Sequence, residues 1–491
     1  MTEGRTVTSR ILIALSVLLP PVGLVLVWAR SGWRTRNRLL ASLALLALTW
    51  VYVFQALGLS IERDGTGWRP LVSISPFWSR YATAEGASAS GGAHAAPASD
   101  VRSWTGFRGS DRDSRYLEGE IRTAWPGDGL PLLWRRPVGG GYASIVAGSG
   151  LLFTIEQRGS QEVVAAYDPD TGAEVWTHGW DAEFQETMGG DGPRATPQWH
   201  DGRLYVLGAT GEFRCFDAAS GKVQWGLNIL SDNGARNLVW GMSASPLITG
   251  DQVILLPGGP SDRSVVAYHR LTGKFLWGAL SDKQAYAAPV VAELAGREQL
   301  LVVTAERVVG LDPTGGELLW EYPWVTSYDV NSVEPLLLGN DRFFISSGYG
   351  HGAAVLEIGR GEDGYTVKTV WKNKRMKNKF NGSVLHEGHV YGLDDAILAC
   401  VDVTTGERKW KGGRYGYGQI LLASGHLVVL TERGDLVLVE ANAEEHRELA
   451  RFSALTGKTW NYPVIVGGRL LVRNQTQMAC YDVSPIPKNP S

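Results

Sequence analysis

The 491-residue chain carries 47 Lys and Arg against 50 Asp and Glu, a formal charge of −3, so its charge balance does not point to nucleic acid as a partner. Glycine is abundant at 61 and tryptophan at 19, a combination that suits many tight turns with a large side chain recurring between them. Length alone suggests two or three domains, but a repeat fold can absorb most of this length as one.

The N-terminal region is a different material. Residues 11–29 are almost wholly apolar, and so are residues 39–59. Each stretch is about the 20 residues a helix needs to cross the hydrocarbon layer. Pro20 and Pro21 should kink the first. A cleaved signal peptide is the alternative for that stretch, but no small-x-small site precedes Arg30 and a second apolar run follows at once. Residues 1–60 are therefore expected to form a membrane anchor of two transmembrane helices. Arg30, Arg34, Arg36 and Arg38 lie between the runs. The positive-inside rule puts them in the cytoplasm and everything after residue 60 on the exoplasmic side, the periplasm of a Gram-negative-type cell. Arg5 and Arg10 weaken that asymmetry. Residues 61–81 hold Trp68, Phe77, Trp78 and Tyr81, expected at the membrane interface. Residues 82–100 are Ala, Ser and Gly with little apolar bulk and read as a flexible linker.

From residue 101 a repeat takes over. Asp168-Pro-Asp-Thr-Gly172-Ala-Glu-Val-Trp176 returns as Asp217-Ala-Ala-Ser-Gly221-Lys-Val-Gln-Trp225. It recurs at Gly273 to Trp277, Asp312 to Trp320, and Asp402 through Gly406 to Trp410. The tryptophans 134, 176, 225, 277, 320, 371 and 410 are 39 to 52 residues apart. That period with β-type alternation predicts propeller blades. Each repeat offers a hairpin with Gly or Asn, an alternating strand, the Asp–Gly turn and the Trp strand, and eight sets can be counted. No outer strand follows Asp482, whereas one with Trp134 precedes the first hairpin. The expected fold is all-β: an eight-bladed propeller over residues 101–484, its N-terminal strand closing the last blade, with 485–491 as a tail. Seven blades is the alternative. In the motif, Gly takes the positive φ of the turn, Asp accepts backbone N–H groups, and Trp packs between blades. The fifth and seventh repeats lack it, reading Glu357-Ile-Gly-Arg-Gly and Glu440-Ala-Asn-Ala. Cys215, Cys400 and Cys480 fill a slot where other blades place Ala166 or Ala267, so they read as small apolar residues, with neither disulfide nor metal expected.

These repeats resemble the PQQ-binding-like β-propeller family over roughly residues 104–483. Ala166-Tyr-Asp-Pro-Asp-Thr-Gly-Ala-Glu-Val-Trp176 is very close to that family's tryptophan-docking repeat. Segments such as Gly192-Pro-Arg-Ala-Thr-Pro197 and Trp371-Lys-Asn-Lys-Arg-Met376 resemble a membrane-anchored bacterial subgroup. The resemblance implies one of two functions. BamB-type members are binding scaffolds in envelope protein assembly. Quinoprotein members are dehydrogenases that oxidise alcohols or sugars with PQQ and calcium, using an adjacent Cys-Cys pair and an Asp base. This chain has no Cys-Cys pair and no evident calcium trio. The scaffold reading leads, with no cofactor, no metal and no catalytic residue expected; PQQ with calcium belongs to the alternative.

In a propeller, the link from each outer strand to the next inner strand crosses one face and delivers residues to the axial opening. The eight links end with Tyr142, Arg194, Trp240, Tyr286, Asn331, Asn381, Tyr417 and Trp460. Such a set would stack a planar ligand or grip a peptide or protein partner; the plainer reading is that it paves the face and plugs the channel. The longest link, 178–196, is acidic and Gly-rich and reads as a binding lid, without calcium-loop spacing. Lys372, Lys374, Arg375, Lys377 and Lys379 form a basic run, either a solvated loop or a contact for an anionic partner or lipid head group. Nine scattered histidines form no catalytic pattern, and the Gly-rich pieces open no helix, so a phosphate cradle is not expected.

Overall fold

The computed structural model describes residues 104–486, with Trp28, Thr35–Val51, Leu59–Arg63 and Pro70–Ile74. In the N-terminal unit, Thr35–Val51 is a 17-residue helix, as its Leu- and Ala-rich sequence without Gly or Pro favours. Leu59–Arg63 and Pro70–Ile74 pair as an antiparallel hairpin. The helix starts before residue 39 and Leu59 lies in the strand, so one transmembrane helix over 39–59 is not supported; residues 52–58 lie outside the described residues. Among the described residues no helix is long and apolar enough to cross a membrane. The expected first span, the linker 82–100, Trp68, Phe77, Trp78 and Tyr81 lie outside the described residues, apart from Trp28.

In the other unit the described strands form eight blades of four antiparallel strands, and in blade 7 the short strand Arg115–Tyr116 adds a fifth, parallel one. The inner strands, in order, are Val146–Gly148, Gln198–His200, Leu247–Thr249, Val290–Leu294, Leu336–Gly339, Val384–His386, Gln419–Ala423 and Val464–Val466. They define blades 1 to 8. Leu132–Pro137 is the outer strand of blade 8, pairing with Gln477–Asp482 in the register Cys480 to Trp134. The first strand of the ring thus closes its last sheet, as the spacing predicts.

The repeat motif explains the ring. Asp168 Oδ1 accepts the amides of Asp170 and Thr171 at 3.1 and 2.8 Å, and Asp402 Oδ1 accepts those of Thr404 and Thr405, both at 2.9 Å. Asp217 and Asp312 accept Ser220 N and Thr314 N in the same way. Gly172, Gly221, Gly273 and Gly406 all have φ near +70°, a region glycine enters without the Cβ penalty. Each also supports the tryptophan of the preceding blade. A Cβ on Gly221 would lie 2.5 Å from the Trp176 ring, and Trp134, Trp225 and Trp371 cover Gly172, Gly273 and Gly406 in the same way. The indole N–H then donates across the seam: Trp134 to Pro169 O, Trp176 to Ala218 O, Trp225 to Arg270 O and Trp371 to Val403 O, at 2.8 to 3.0 Å.

Trp277 and Trp320 send the indole N–H within their own blade, one before a blade with the motif and one before a blade without it. Trp320 donates within its own blade to Gln299 Oε1 at 2.6 Å while its ring still stacks across the seam on Phe343 of blade 5. Trp277 also donates within its blade, to Gln252, while packing over Gly316. Trp410 still reaches forward, to Asn442 O of blade 7.

The cysteine slot has a geometric cause. Cys215, Cys400 and Cys480 are the cross-strand partners of Trp225, Trp410 and Trp134, and Ala166 and Ala267 those of Trp176 and Trp277. A small side chain opposite the indole leaves room for the ring to lean onto the next blade. All three thiols are free and buried, and burial pushes them up to about 11, 12 and 12.

Candidate functional site

The axial channel is filled by a segment that sequence reasoning missed. Residues 104–116 enter beside the end of the blade 1 inner strand, where Trp104 O accepts Ala147 N at 2.8 Å. They turn near Arg108–Arg112 and leave along blade 7, where Arg115 and Tyr116 pair in parallel with Leu422 and Ala423. Two buried arginines lock the turn. Arg108 donates to Ser383 O at 2.5 Å and Ser114 Oγ at 2.8 Å, and faces Glu334 at 3.6 Å. Arg112 donates to Gln198 Oε1 at 2.9 Å, Pro289 O at 3.3 Å and Pro246 O. Phe107 packs edge-on against Tyr462 at 5.0 Å. The plug thereby touches the inner wall of every blade.

The plug carries backbone strain, since Arg108, Arg112 and Ser114 all have φ between +56° and +64°. Burial lowers the Arg112 guanidinium to about 10, with Glu334 opposing the shift. Glu334 itself is raised by burial despite the Arg108 charge. No repeat announces this segment. Its only local signal is the run Arg108-Gly-Ser-Asp-Arg-Asp-Ser-Arg115, polar residues with no strand period.

At the opposite end, where the inner strands begin, the links form a crown around the plugged axis. Arg194 lies over Phe184 at 4.5 Å and Tyr142 at 5.7 Å. Tyr142 meets Trp460 at 5.2 Å, Trp460 meets Phe380 at 4.6 Å, and Phe380 meets Tyr417 at 5.7 Å. Lys379 sits over Tyr417 at 4.0 Å and over Tyr349 at 5.2 Å, and Tyr349 meets Tyr328 at 6.2 Å. Trp240 and Tyr286 form a second pair at 5.6 Å. Of the eight link residues, Tyr142, Arg194, Tyr417 and Trp460 are thus brought into one arc, and Trp240 pairs with Tyr286.

Asn331 and Asn381 do not reach the crown surface. Asn331 is buried and ties its link down, donating to Thr304 O at 2.9 Å and Trp324 O at 3.2 Å while accepting Ser347 Oγ. Asn381, also buried, accepts Lys379 N at 3.0 Å. Sequence reasoning missed Phe184, Phe380, Lys379, Tyr349 and Tyr328 as crown members. Tyr328 is 81% exposed and Tyr349 40%. Met188, Val239 and Val325, on the same set of links, are 65%, 74% and 59% exposed.

Buried carboxylates hold the crown from beneath. Glu432 accepts Trp460 Nε1 at 2.9 Å and Tyr417 N at 3.2 Å, fixing two crown rings at once. Glu162 accepts Trp180 Nε1 at 3.1 Å and Ala209 N at 2.7 Å, and burial raises its carboxyl to about 7. In the long link, Glu186 accepts the amides of Met188 and Gly189, and Asp191 accepts Glu186 N. The link is therefore organised by its own acids. The basic run is partly absorbed too. Lys377 bridges Asp394 and Asp395 at 2.8 and 2.6 Å, Lys372 lies 4.9 Å over Trp324, and Arg375 donates to Gly406 O. Among the described residues no group of three or more His, Cys, Asp or Glu side chains is placed to hold a metal.

A closed ring of tryptophan-docked blades, plugged at its axis and crowned with half-buried aromatics, has the architecture of a PQQ-like propeller. A family model described as "Outer membrane protein assembly factor BamB" matches residues 160–412, and the chain belongs to that family. The outer membrane protein assembly factor BamB of Burkholderia pseudomallei (strain K96243) is 23% identical over 373 residues, covering 66% of this chain and 92% of that protein. The crystal structure of BamB from Moraxella catarrhalis matches with a TM-score of 0.53 at 14% identity, covering 72% of this chain and 99% of that one. The quinohemoprotein alcohol dehydrogenase of Comamonas testosteroni matches with a TM-score of 0.55 at 14% identity, covering 79% and 82%. At such identities the structural matches speak to the fold alone.

Proposed function

We propose that this protein is a non-enzymatic scaffold that binds a peptide or protein partner on its crown, serving envelope protein assembly as the names of its relatives suggest. The observation that carries this reading is the crown itself. Rings from separate links converge at one end of an axis that Arg108 and Arg112 keep closed at its centre. A closed axis leaves rim and loops as the binding surface. Half-buried Trp, Tyr and Arg there are the residue types that dominate binding energy, often about 2 kcal/mol or more each. The same reading puts the propeller on the exoplasmic side of the cytoplasmic membrane, attached through the apolar N-terminal region. Its support is the arginine cluster between the apolar runs.

The dehydrogenase alternative asks for a calcium ion and a vicinal disulfide. The three cysteines lie in blades 2, 6 and 8, each opposite a docking tryptophan, and no metal-holding group is formed among the described residues. The residues present do not fit that chemistry, and no redox step is assigned.

A photocrosslinking amino acid at position 328 in the full-length chain tests the scaffold reading, with position 276 on the blade wall as control. Crosslinks to polypeptide from 328 alone, weakened by joint Trp240→Ala and Trp460→Ala, are expected. Equal capture from both positions, or capture indifferent to the two substitutions in a folded protein, refutes it.

A further inference from the structure

The crown holds two cations that are not ion-paired among the described residues. The half-buried Arg194 guanidinium donates to the carbonyls of Gly190, at 2.6 Å, and Gly192. The Lys379 ammonium donates to the Tyr417 hydroxyl at 2.6 Å. Acids stand near both, yet those acids are engaged elsewhere. Glu186 and Asp191 are committed to amides of their own loop, and Glu432 lies beneath Trp460 and Tyr417, bonded to both. Burial lowers Arg194 below the usual arginine range, with the nearby Tyr142, Glu186 and Asp191 opposing the shift, so its charge is held partly out of water with no direct ion pair. Such a charge gains from an incoming anion more than a solvated surface charge does.

Geometry sets the size of that anion's carrier. From Arg194 the arc passes Tyr142 and Trp460 to Phe380 in steps of 4.6 to 5.7 Å, and Lys379, next to Phe380 in the chain, ends it over Tyr417 at 4.0 Å. An extended chain rises ~3.3 Å per residue, so roughly half a dozen residues would lie along the arc. The rings between the cations are half-buried, and Lys458 lies over the Trp460 ring at 4.3 Å, so the middle of the arc is aromatic with one further cation beside it.

Building on the scaffold reading, we propose that this arc is a docking site for an extended polypeptide segment bearing carboxylates at both ends of a short apolar stretch. Arg194 takes one carboxylate and Lys379 the other, while Tyr142, Trp460, Phe380 and Tyr417 cover the residues between.

The test titrates full-length protein in detergent with nine-residue peptides having Glu near each end of an apolar centre. Gln-for-Glu and Lys-for-Glu versions are run beside them, with tryptophan fluorescence and calorimetry as readouts. The acidic peptide is expected to bind at least about tenfold more tightly than the neutral one. Joint Arg194→Met and Lys379→Met should erase that difference while leaving the neutral affinity within about twofold. Circular dichroism checks the fold of the variant. Equal affinity for acidic and neutral peptides overturns the charge assignment, and the scaffold reading then rests on the position 328 crosslinks alone. Acidic-peptide binding that survives the double substitution overturns the location. Vesicles with anionic head groups that bind in a variant-sensitive way while every peptide fails overturn the polypeptide as occupant.

Discussion

Replacing Arg112 with Met probes the plug directly. The guanidinium makes three hydrogen bonds, to Gln198 Oε1, Pro289 O and Pro246 O. Bonds to a charged group contribute about 1.5–3 kcal/mol each, so the gross loss is roughly 5–9 kcal/mol. The ion's own burial opposes this. Its pKa of about 10 instead of 12.5, the net of burial and the opposing Glu334 charge, corresponds to about 3 kcal/mol against the charged form that Met does not incur, at ~1.4 kcal/mol per unit. A net destabilisation of about 3 kcal/mol is expected. Met keeps much of the side-chain volume, so the change reads mainly the lost polar contacts. The assay is urea unfolding of the full-length chain, together with limited proteolysis mapped over residues 104–116. The variant should unfold at lower urea and become cleavable near Arg108–Ser114 before the blades open. An unchanged midpoint with undiminished protection of that segment would show that Arg112 does not hold the plug.

Four further outcomes follow from the same structure. Gly221→Ala should cost at least about 2 kcal/mol more than Gly388→Ala, because both have φ near +70° but only Gly221 faces the Trp176 ring, whereas Gly388 faces open space; urea midpoints compare them. Glu162 has a raised folded-state pKa of about 7, so its stabilising contribution is complete below the unfolded value near 4.5 and is lost as pH rises toward 7. Glu162→Gln should therefore gain on the wild type by about 2 kcal/mol between pH 5 and pH 8, and a constant difference across that window refutes the assignment. Maleimide at pH 7.5 should leave Cys215, Cys400 and Cys480 unmodified in the folded protein and label all three in urea, because burial keeps the thiols protonated. With PQQ, calcium and a dye acceptor, a panel of alcohols should show no turnover above the quinone-free control; steady turnover would replace the scaffold reading.

The ring was legible because its signals are local. An Asp-to-Gly turn, a tryptophan four residues on and a small residue across the strand are each read within one repeat, and their spacing counts the blades. The plug was not legible, because the partner of Arg108 at Ser383 lies 275 residues away and no period marks either end. Asn331 and Asn381 show the limit between the two cases. Their place at the end of a link was readable, but the direction of the side chain was not. In Asn331 it is set by carbonyls at Thr304 and Trp324 that only the folded ring brings together. Phe380 stood beside a predicted residue and was passed over, and Lys379 was read only as part of a basic run, since position in a link does not tell which of three neighbours faces out.

The pairing of Leu132–Pro137 with Gln477–Asp482 makes this fold dependent on the order in which it is made. The first strand of the ring is synthesised, and then waits for more than three hundred residues before its neighbour exists. Until Asp482 emerges, Trp134 can settle on Gly172 of blade 1 but has no Cys480 opposite it. A chain stopped before Gln477 therefore has seven finished blades and two open strand edges, the exposure that invites misassembly. Completion is a late, single event, and any machinery that judges this protein's integrity has one seam to inspect.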